Sequence, residues 1–238
     1  FVALFGPRWY FKKGYISQIL MYAGPILSYE RADRYTDSGG AFGFNMQFRD
    51  NWGYEINTSL ADAKDSVRYT YWDATFSSWY NISPKWDGNL YGGYSRTFNF
   101  SREFLAYYSW LGLSLDFKAA TILQIGTSAD MFIEGNPAGN IEEITYNTRP
   151  YFSLTPINNL NLRVYVDNLW ERSSGSLEQL LAGFLFSYNF SPKSWIYFAL
   201  NDVRDRSDQF DTRGRLLPPR LHVTDRVSVF KIKYLYYF

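Results

Sequence analysis

Hydroxyl nucleophiles need a base beside them, and this 238-residue chain carries one histidine, His222, and no cysteine. His222 is followed by Val223 and Thr224, with no Ser placed to pair with it locally, so it reads as a loop or rim residue. The acids nearest to it in sequence, Asp202, Asp205, Asp208 and Asp211, are interleaved with Arg204, Arg206, Arg213, Arg215 and Arg220. That pattern is a solvated, mixed-charge loop, with phosphate binding through its arginines as the functional alternative. Asp33, Asp37, Glu134, Glu142 and Glu143 show no calcium-loop spacing. The expectation is therefore no catalytic residue, no metal, no cofactor and no enzymatic activity. A formal net charge of +1 gives no field to gather nucleic acid, and zero Cys removes disulfide scaffolds and thiolate zinc sites.

The polar side chains that do recur with a pattern are Asn45, Gln47, Arg49, Glu55, Asn57, Gln124, Arg149, Arg163, Asp167, Asn189, Lys231 and Lys233. Most sit between apolar residues at single-residue spacing, which places them on one face of a strand. Phe42, Phe44, Met46 and Phe48 alternate with Gly43, Asn45, Gln47 and Arg49. Tyr54, Ile56, Thr58 and Leu60 alternate with Glu55, Asn57 and Ser59, and Leu160, Leu162, Val164 and Val166 with Asn161, Arg163, Tyr165 and Asp167. If one face meets lipid and the other encloses water, these polar residues line a mixed-charge lumen. The charges then avoid the roughly 2–4 kcal/mol that Arg or Lys costs at a bilayer midplane. The rival reading is that opposite charges pair across the lumen and plug it.

Composition supports the two-faced reading. Aromatic residues make up 21% of the chain while mean hydropathy stays at -0.30, a combination natural to a wall that is polar inside, apolar outside and ringed by aromatics. The longest apolar stretch, Phe104 to Leu115, is broken by Ser109 and Ser114, so any membrane crossing is made by strands, not by a helix of about 20 residues. Trp52, Trp72, Trp86, Trp110 and Trp195 fall near strand ends and read as interface anchors.

Turn signals at Asp50-Asn51, Ser83 to Lys85, a weaker break at Asp116 to Ala120, Thr155 to Asn159 and Ser191 to Lys193 recur about every 35 residues, one hairpin with its outer loop. Longer polar stretches alternate with them: Glu30 to Gly40, Ala61 to Ser66, Glu134 to Asn140, Trp170 to Ser176 and Asn201 to Arg220. The strands are predicted at 14–29, 41–49, 53–60, 68–80, 86–98, 103–117, 121–133, 144–154, 160–168, 177–190, 194–201 and 223–238. These make about twelve, an even number that puts both termini at the short-turn end.

In the last segment Phe230, Ile232, Tyr234, Tyr236 and Phe238 occupy every second position, with Lys231 and Lys233 opposite. This resembles the C-terminal signal by which the barrel assembly machinery recognises bacterial outer-membrane proteins. The stretch Tyr188 to Asp202, then Asp225-Arg226-Val227 and Lys231 to Phe238, resembles the barrel end of an uncharacterised outer-membrane family. Thr148-Arg149-Pro150 and the strand after Asn158-Asn159 are similar to it as well. In that family an N-terminal carbohydrate-binding-like module of the family-nine type precedes the barrel. The likeness covers about the last hundred residues and encodes architecture. The module has no counterpart in this chain, so the resemblance implies no sugar-binding residue here.

The expected protein is thus all-β: a transmembrane antiparallel up-and-down β-barrel of about 12 strands, one domain over residues 1–238, read as a mature form or the C-terminal part of a longer protein. Its expected place is the bacterial outer membrane. Expected partners are outer-membrane lipid and lipopolysaccharide, the barrel assembly machinery during biogenesis, and surface or periplasmic proteins, with no nucleic acid. The expected function is a porin-like channel or the membrane barrel of a larger surface assembly. The alternatives are a non-conducting structural or partner-binding anchor and, far behind, a rim-sited hydrolase.

Overall fold

The structure is a computed structural model, and it describes residues 1–30, 35–64, 66–207 and 220–235. Among these, thirteen β-strands form one sheet whose hydrogen-bonded order is the order of the chain. They are β1 (Arg8–Tyr10), β2 (Ile16–Glu30), β3 (Tyr35–Phe48), β4 (Trp52–Lys64), β5 (Arg68–Ser83), β6 (Trp86–Asn99), β7 (Phe104–Ala120), β8 (Leu123–Gly135), β9 (Ile141–Ile157), β10 (Leu160–Glu171), β11 (Ser176–Ser191), β12 (Ser194–Ser207) and β13 (Arg220–Lys233). The fold class is the all-β, antiparallel, up-and-down one that the alternation requires.

The strands β2 to β13 match the twelve predicted ones in order. The count of about twelve becomes thirteen with β1, three residues whose partner is Gln18 to Leu20 of β2. Val2 and Phe5 extend that contact as isolated bridges to Ile26 and Ala23. No alternation marks Arg8-Trp9-Tyr10, because its strand geometry is templated by the edge of β2. Thirteen is odd where an even number was expected.

Strand ends differ from expectation most on the side of the longer connections. The short turns are 49–51, 84–85, 121–122, 158–159 and 192–193, close to the predicted signals except that the break at Asp116 to Ala120 is strand and the chain turns at Thr121-Ile122. The polar stretches predicted as loops are in part strand: β3 takes in Tyr35 to Gly40, β4 Ala61 to Lys64 and β12 Asn201 to Ser207, while 136–140 and 172–175 remain connections. Tyr35–Gly40 and Ala61–Lys64 lack an apolar face yet continue the ladder, Asp37 opposite Ala63 and Gly39 opposite Ala61. Backbone pairing continues where side-chain alternation fades. At the other extreme β13 ends at Lys233, short of the predicted 238, and Tyr236 and Phe238 lie outside the described residues.

Side chains cap the turns. Ser83 Oγ accepts from the backbone of Lys85 and Trp86, and Asn99 Oδ1 accepts from Ser101 and Arg102. Asn51 and Lys193 adopt φ of 58° and 57°, the left-handed geometry that closes their three- and two-residue turns, respectively.

The chain divides into two compact units, Phe1–Leu113 with Met131–Ile144, and Ser114–Asp130 with Thr145–Phe238. In each, burial is inverted relative to a water-soluble fold. Among the described residues the fully buried apolar side chains are only Ala61, Ala63 and Ala106, whereas Gln18, Asp37, Asn45, Ser153 and Ser194 are buried polar ones. Large apolar side chains stand exposed on the opposite face: Leu60 is 57% accessible, Val164 49% and Phe230 65%, against 8% for Asn45 and for Ser153. The polar face is the covered one.

Candidate functional site: the polar face

In the first unit the register sets Tyr22 opposite Gly43, Gly43 opposite Asn57, and Asn45 opposite Glu55. Their side chains form one chain of hydrogen bonds. Tyr22 donates to Asn57 Oδ1 (2.5 Å), Asn57 donates to Glu55 Oε1 (2.6 Å), and Asn45 donates to Glu55 Oε2 (3.0 Å). Glu55 is thus held by an amide on each oxygen, while the buried Asn45 Oδ1 is left with no partner. Ser59 donates to Asp73, and Tyr71 to Asp37 (2.9 Å), continuing the face toward the longer connections.

In the second unit Asp167 gathers Asn147 (2.8 Å) and the Arg149 guanidinium, whose Nε lies 3.0 Å away. Arg163 has its guanidinium carbon 3.7 Å from the ring centroid of Tyr151, a cation–π contact. The Tyr151 hydroxyl donates to Asp116 and accepts from Gln124 (2.9 Å). Lys231 and Lys233 stand opposite Tyr197 and Trp195, are exposed, and have no ion pair among the described residues. Asn189 donates to the backbone of Ser194 (3.1 Å), which fastens the β11–β12 turn.

Of the predicted lining residues, Asn45, Gln47, Glu55 and Asn57 share one face in the first unit, and Arg149, Arg163, Asp167, Lys231 and Lys233 one face in the second. Arg49 departs from the pattern, lying just past the end of β3. Its guanidinium donates to the carbonyls of Gly14 (2.8 Å) and Phe11, so it clamps the β1–β2 connection, and it borders an open cavity of about 670 Å³ with Gln47, Trp52 and Trp79. Replacing Arg49 by Ala is expected to speed tryptic cleavage at Lys12 and Lys13 about tenfold, since two charge-assisted bonds worth about 1–2 kcal/mol together are lost. Unchanged cleavage would mean that the connection is held by other contacts.

Sequence reading missed the aromatic half of this face. Tyr22 lies over Gly43, Trp79 over Gly53, Trp110 over Gly93, Tyr151 over Gly126 and Tyr165 over Gly183; at each glycine a Cβ would collide with the ring. A strand glycine opposite or diagonal to a large aromatic is the signal that would have found these pairs. Trp110 and Trp195 therefore sit on the polar face, correcting their reading as interface anchors; Trp195 stacks on Tyr197 at 5.9 Å. Trp52 and Trp72 do lie on the apolar face, stacked on Phe48 (3.7 Å) and packed on Tyr94 (5.3 Å).

The acids near His222 are divided between faces. His222 is opposite Asp205, whose carboxylate accepts from Thr224 (3.0 Å) and Gln179 (2.8 Å). Asp202 is on the apolar face, ion-paired to Arg204 (2.8 Å) and Arg226 (2.6 Å). Asp33, Asp208, Asp211, Arg213 and Arg215 lie outside the described residues. Of the terminal alternating set, Phe230 and Ile232 are exposed on the apolar face opposite Phe198 and Ile196, and Tyr234, past the strand end, stacks on Phe190 at 6.3 Å.

Among solved structures the chain is similar to OmpT, an outer-membrane protein of Vibrio cholerae folded in vitro and solved in its trimer form. The TM-score is 0.48 at 7% identity, over 98% of this chain and 97% of that one. Its fold resembles that of an outer-membrane protein. No protein-family model matches the sequence, and no curated protein matches it, so the family with the carbohydrate-binding-like module gains no support. The expectation of a non-enzyme is corrected at this point: set beside the likeness to OmpT, that exclusion is withdrawn. A fold-level likeness does not separate enzymes from channels, and it supplies no catalytic group to this chain.

Proposed function

We propose that this chain is a transmembrane β-barrel of the bacterial outer membrane whose polar face lines a water-filled, porin-like passage. The observation that carries the reading is the inversion of burial: polar side chains covered and hydrogen-bonded, large apolar ones exposed in rows. In water, rows such as Phe42, Phe44, Met46 or Leu162, Val164, Val166 would cost about 25 cal/mol for each Å² left exposed. In a bilayer they are at home.

Strand length agrees. The strands β2 to β13 have 12 to 17 residues, more than the 9–11 that a tilted membrane strand needs. The apolar face also turns charged in the half nearest the longer connections, at Asp62, Arg68, Arg96, Asp202, Arg204 and Arg226. That is where a headgroup layer would begin. The unpaired Lys231 and Lys233 then give the passage a basic lining segment.

The test is a heat-modifiability gel on the refolded chain, followed by conductance in a planar bilayer. Folded protein of altered mobility and stable current steps are expected. A folded, inserted chain without current would replace the channel by a non-conducting anchor for a surface assembly; a chain that never inserts would sink the membrane reading.

A further inference from the structure

On the apolar face of the first unit, the β8–β9 connection 136–140 roofs a cavity of about 540 Å³ lined by Tyr94, Tyr107, Ser109, Ile133, Pro137 and Ile141. Its size falls within the roughly 300–1,000 Å³ of small-ligand sites. The roof is built, not draped: Asn136 Oδ1 accepts from the backbone of Ala138 and Asn140, both at 3.0 Å, and Asn136 Nδ2 donates to Glu142 at 2.6 Å. Arg102 braces the base of the connection by pairing with Glu134 (3.3 Å) and Glu142 (3.2 Å). Gly139 supplies the left-handed turn at φ 83°.

The walls are aromatic. Tyr94 and Tyr107 stack at 6.1 Å, and Trp72 packs against Tyr94 at 5.3 Å. Beside them stands a cation without an acid. Arg96 has its guanidinium carbon 5.9 Å from the ring centroid of Tyr107, its Nε is buried with no hydrogen-bond partner, and no carboxylate pairs with it among the described residues. On the same face Arg68, by contrast, is paired with Asp62 at 2.7 Å. A cavity with apolar walls, hydroxyl and amide groups in its lining, and an unpaired guanidinium at its side is complementary to one kind of molecule.

The geometry points to a binding site for a phosphorylated, acylated glycolipid of the outer leaflet, of the lipid A type. An acyl chain lies along Ile133 and Ile141, the phosphate meets Arg96, and the sugar meets Ser109 and the Asn136 connection. The inference rests on the membrane reading above, which puts this face in lipid, and takes the end bearing the longer connections as the outer-leaflet end, since outer-membrane barrels keep short turns at the periplasm and longer loops outside.

The experiment uses the whole chain, purified in detergent micelles and offered lipid A, with bound lipid counted by native mass spectrometry. One lipid A is expected to remain on the wild type, and Arg96→Gln to lower its retention about tenfold, as loss of a charge-assisted phosphate contact predicts. Tyr107→Ala should lower it also, and Leu60→Ala, elsewhere on the same face, should not. Lipid A stripped of phosphate should bind the wild type and Arg96→Gln alike. Equal retention by wild type and Arg96→Gln would overturn the site, as would phosphatidylglycerol held as tightly as lipid A. Heat modifiability and insertion into vesicles are scored on every variant. A chain that inserts but keeps no lipid A defeats this inference alone, whereas a chain that does not insert defeats the membrane reading as well.

Discussion

Gly53→Ala is expected to lower the unfolding free energy by about 3 kcal/mol, the upper range for forcing atoms into a filled space. A Cβ at this position falls 2.6 Å from the carbonyl oxygen of Met46 and closer still to the Trp79 ring. The carbonyl belongs to the neighbouring strand and cannot retreat without opening the ladder between Gln47 and Gly53. Gly183→Ala meets only the Tyr165 ring, which swings aside at the loss of its 2.9 Å bond to Asn201, so a smaller cost of about 1–2 kcal/mol is expected. Urea unfolding in micelles, followed by the heat-modifiable band, measures both. Equal and small effects would mean that the aromatic rings on this face move freely and that their seating on glycine is incidental.

If the polar face lines the proposed passage, reversing the two lysines of the last strand, Lys231→Glu with Lys233→Glu, is expected to swing it toward cation preference, with a shift of roughly 2- to 5-fold in the permeability ratio for each charge. That corresponds to about 0.5–1 kcal/mol per charge in a hydrated, salt-screened space. Asp167→Asn should move selectivity in the opposite direction, since it removes the carboxylate that neutralises Arg149. Reversal potentials under a salt gradient report the sign directly. If the double reversal leaves the ratio unchanged while current persists, these lysines do not border the conducting path.

The strands were legible in the sequence wherever one face is apolar. Phe42 to Phe48 and Leu160 to Asp167 declare their period by themselves, and the register places Asn45 and Arg163 on the face the alternation assigns. Two kinds of feature were not legible. Strand extensions such as Tyr35–Gly40 are held by backbone hydrogen bonds to neighbours, and β1 exists because β2 offers an edge, so neither leaves a mark in side-chain period. The glycine-seated aromatics depend on which residue lies across the ladder. Trp110 over Gly93 brings together residues of two strands, and single-residue spacing along either one contains no information about the other.

The contacts of Arg49 were not legible for a related reason. Alternation continued formally to that residue, but β3 ends at Phe48, and beyond the last ladder bond a side chain answers to the nearest carbonyls instead of to the pleat. The same limit applies around His222, where neighbours in sequence, Asp202 and Asp205, are separated onto opposite faces by the pleat.

The near-absence of buried apolar side chains, with only three alanines fully enclosed among the described residues, changes what drives the chain to fold. Expulsion of water from an interior, the usual source of collapse, has almost nothing here to act on. On the membrane reading proposed above, the favourable transfer is made by the exposed apolar face to the surrounding lipid. Native stability would then be a joint property of polypeptide and amphiphile, and acyl-chain length or detergent tail length would act on it as core mutations act on a water-soluble domain.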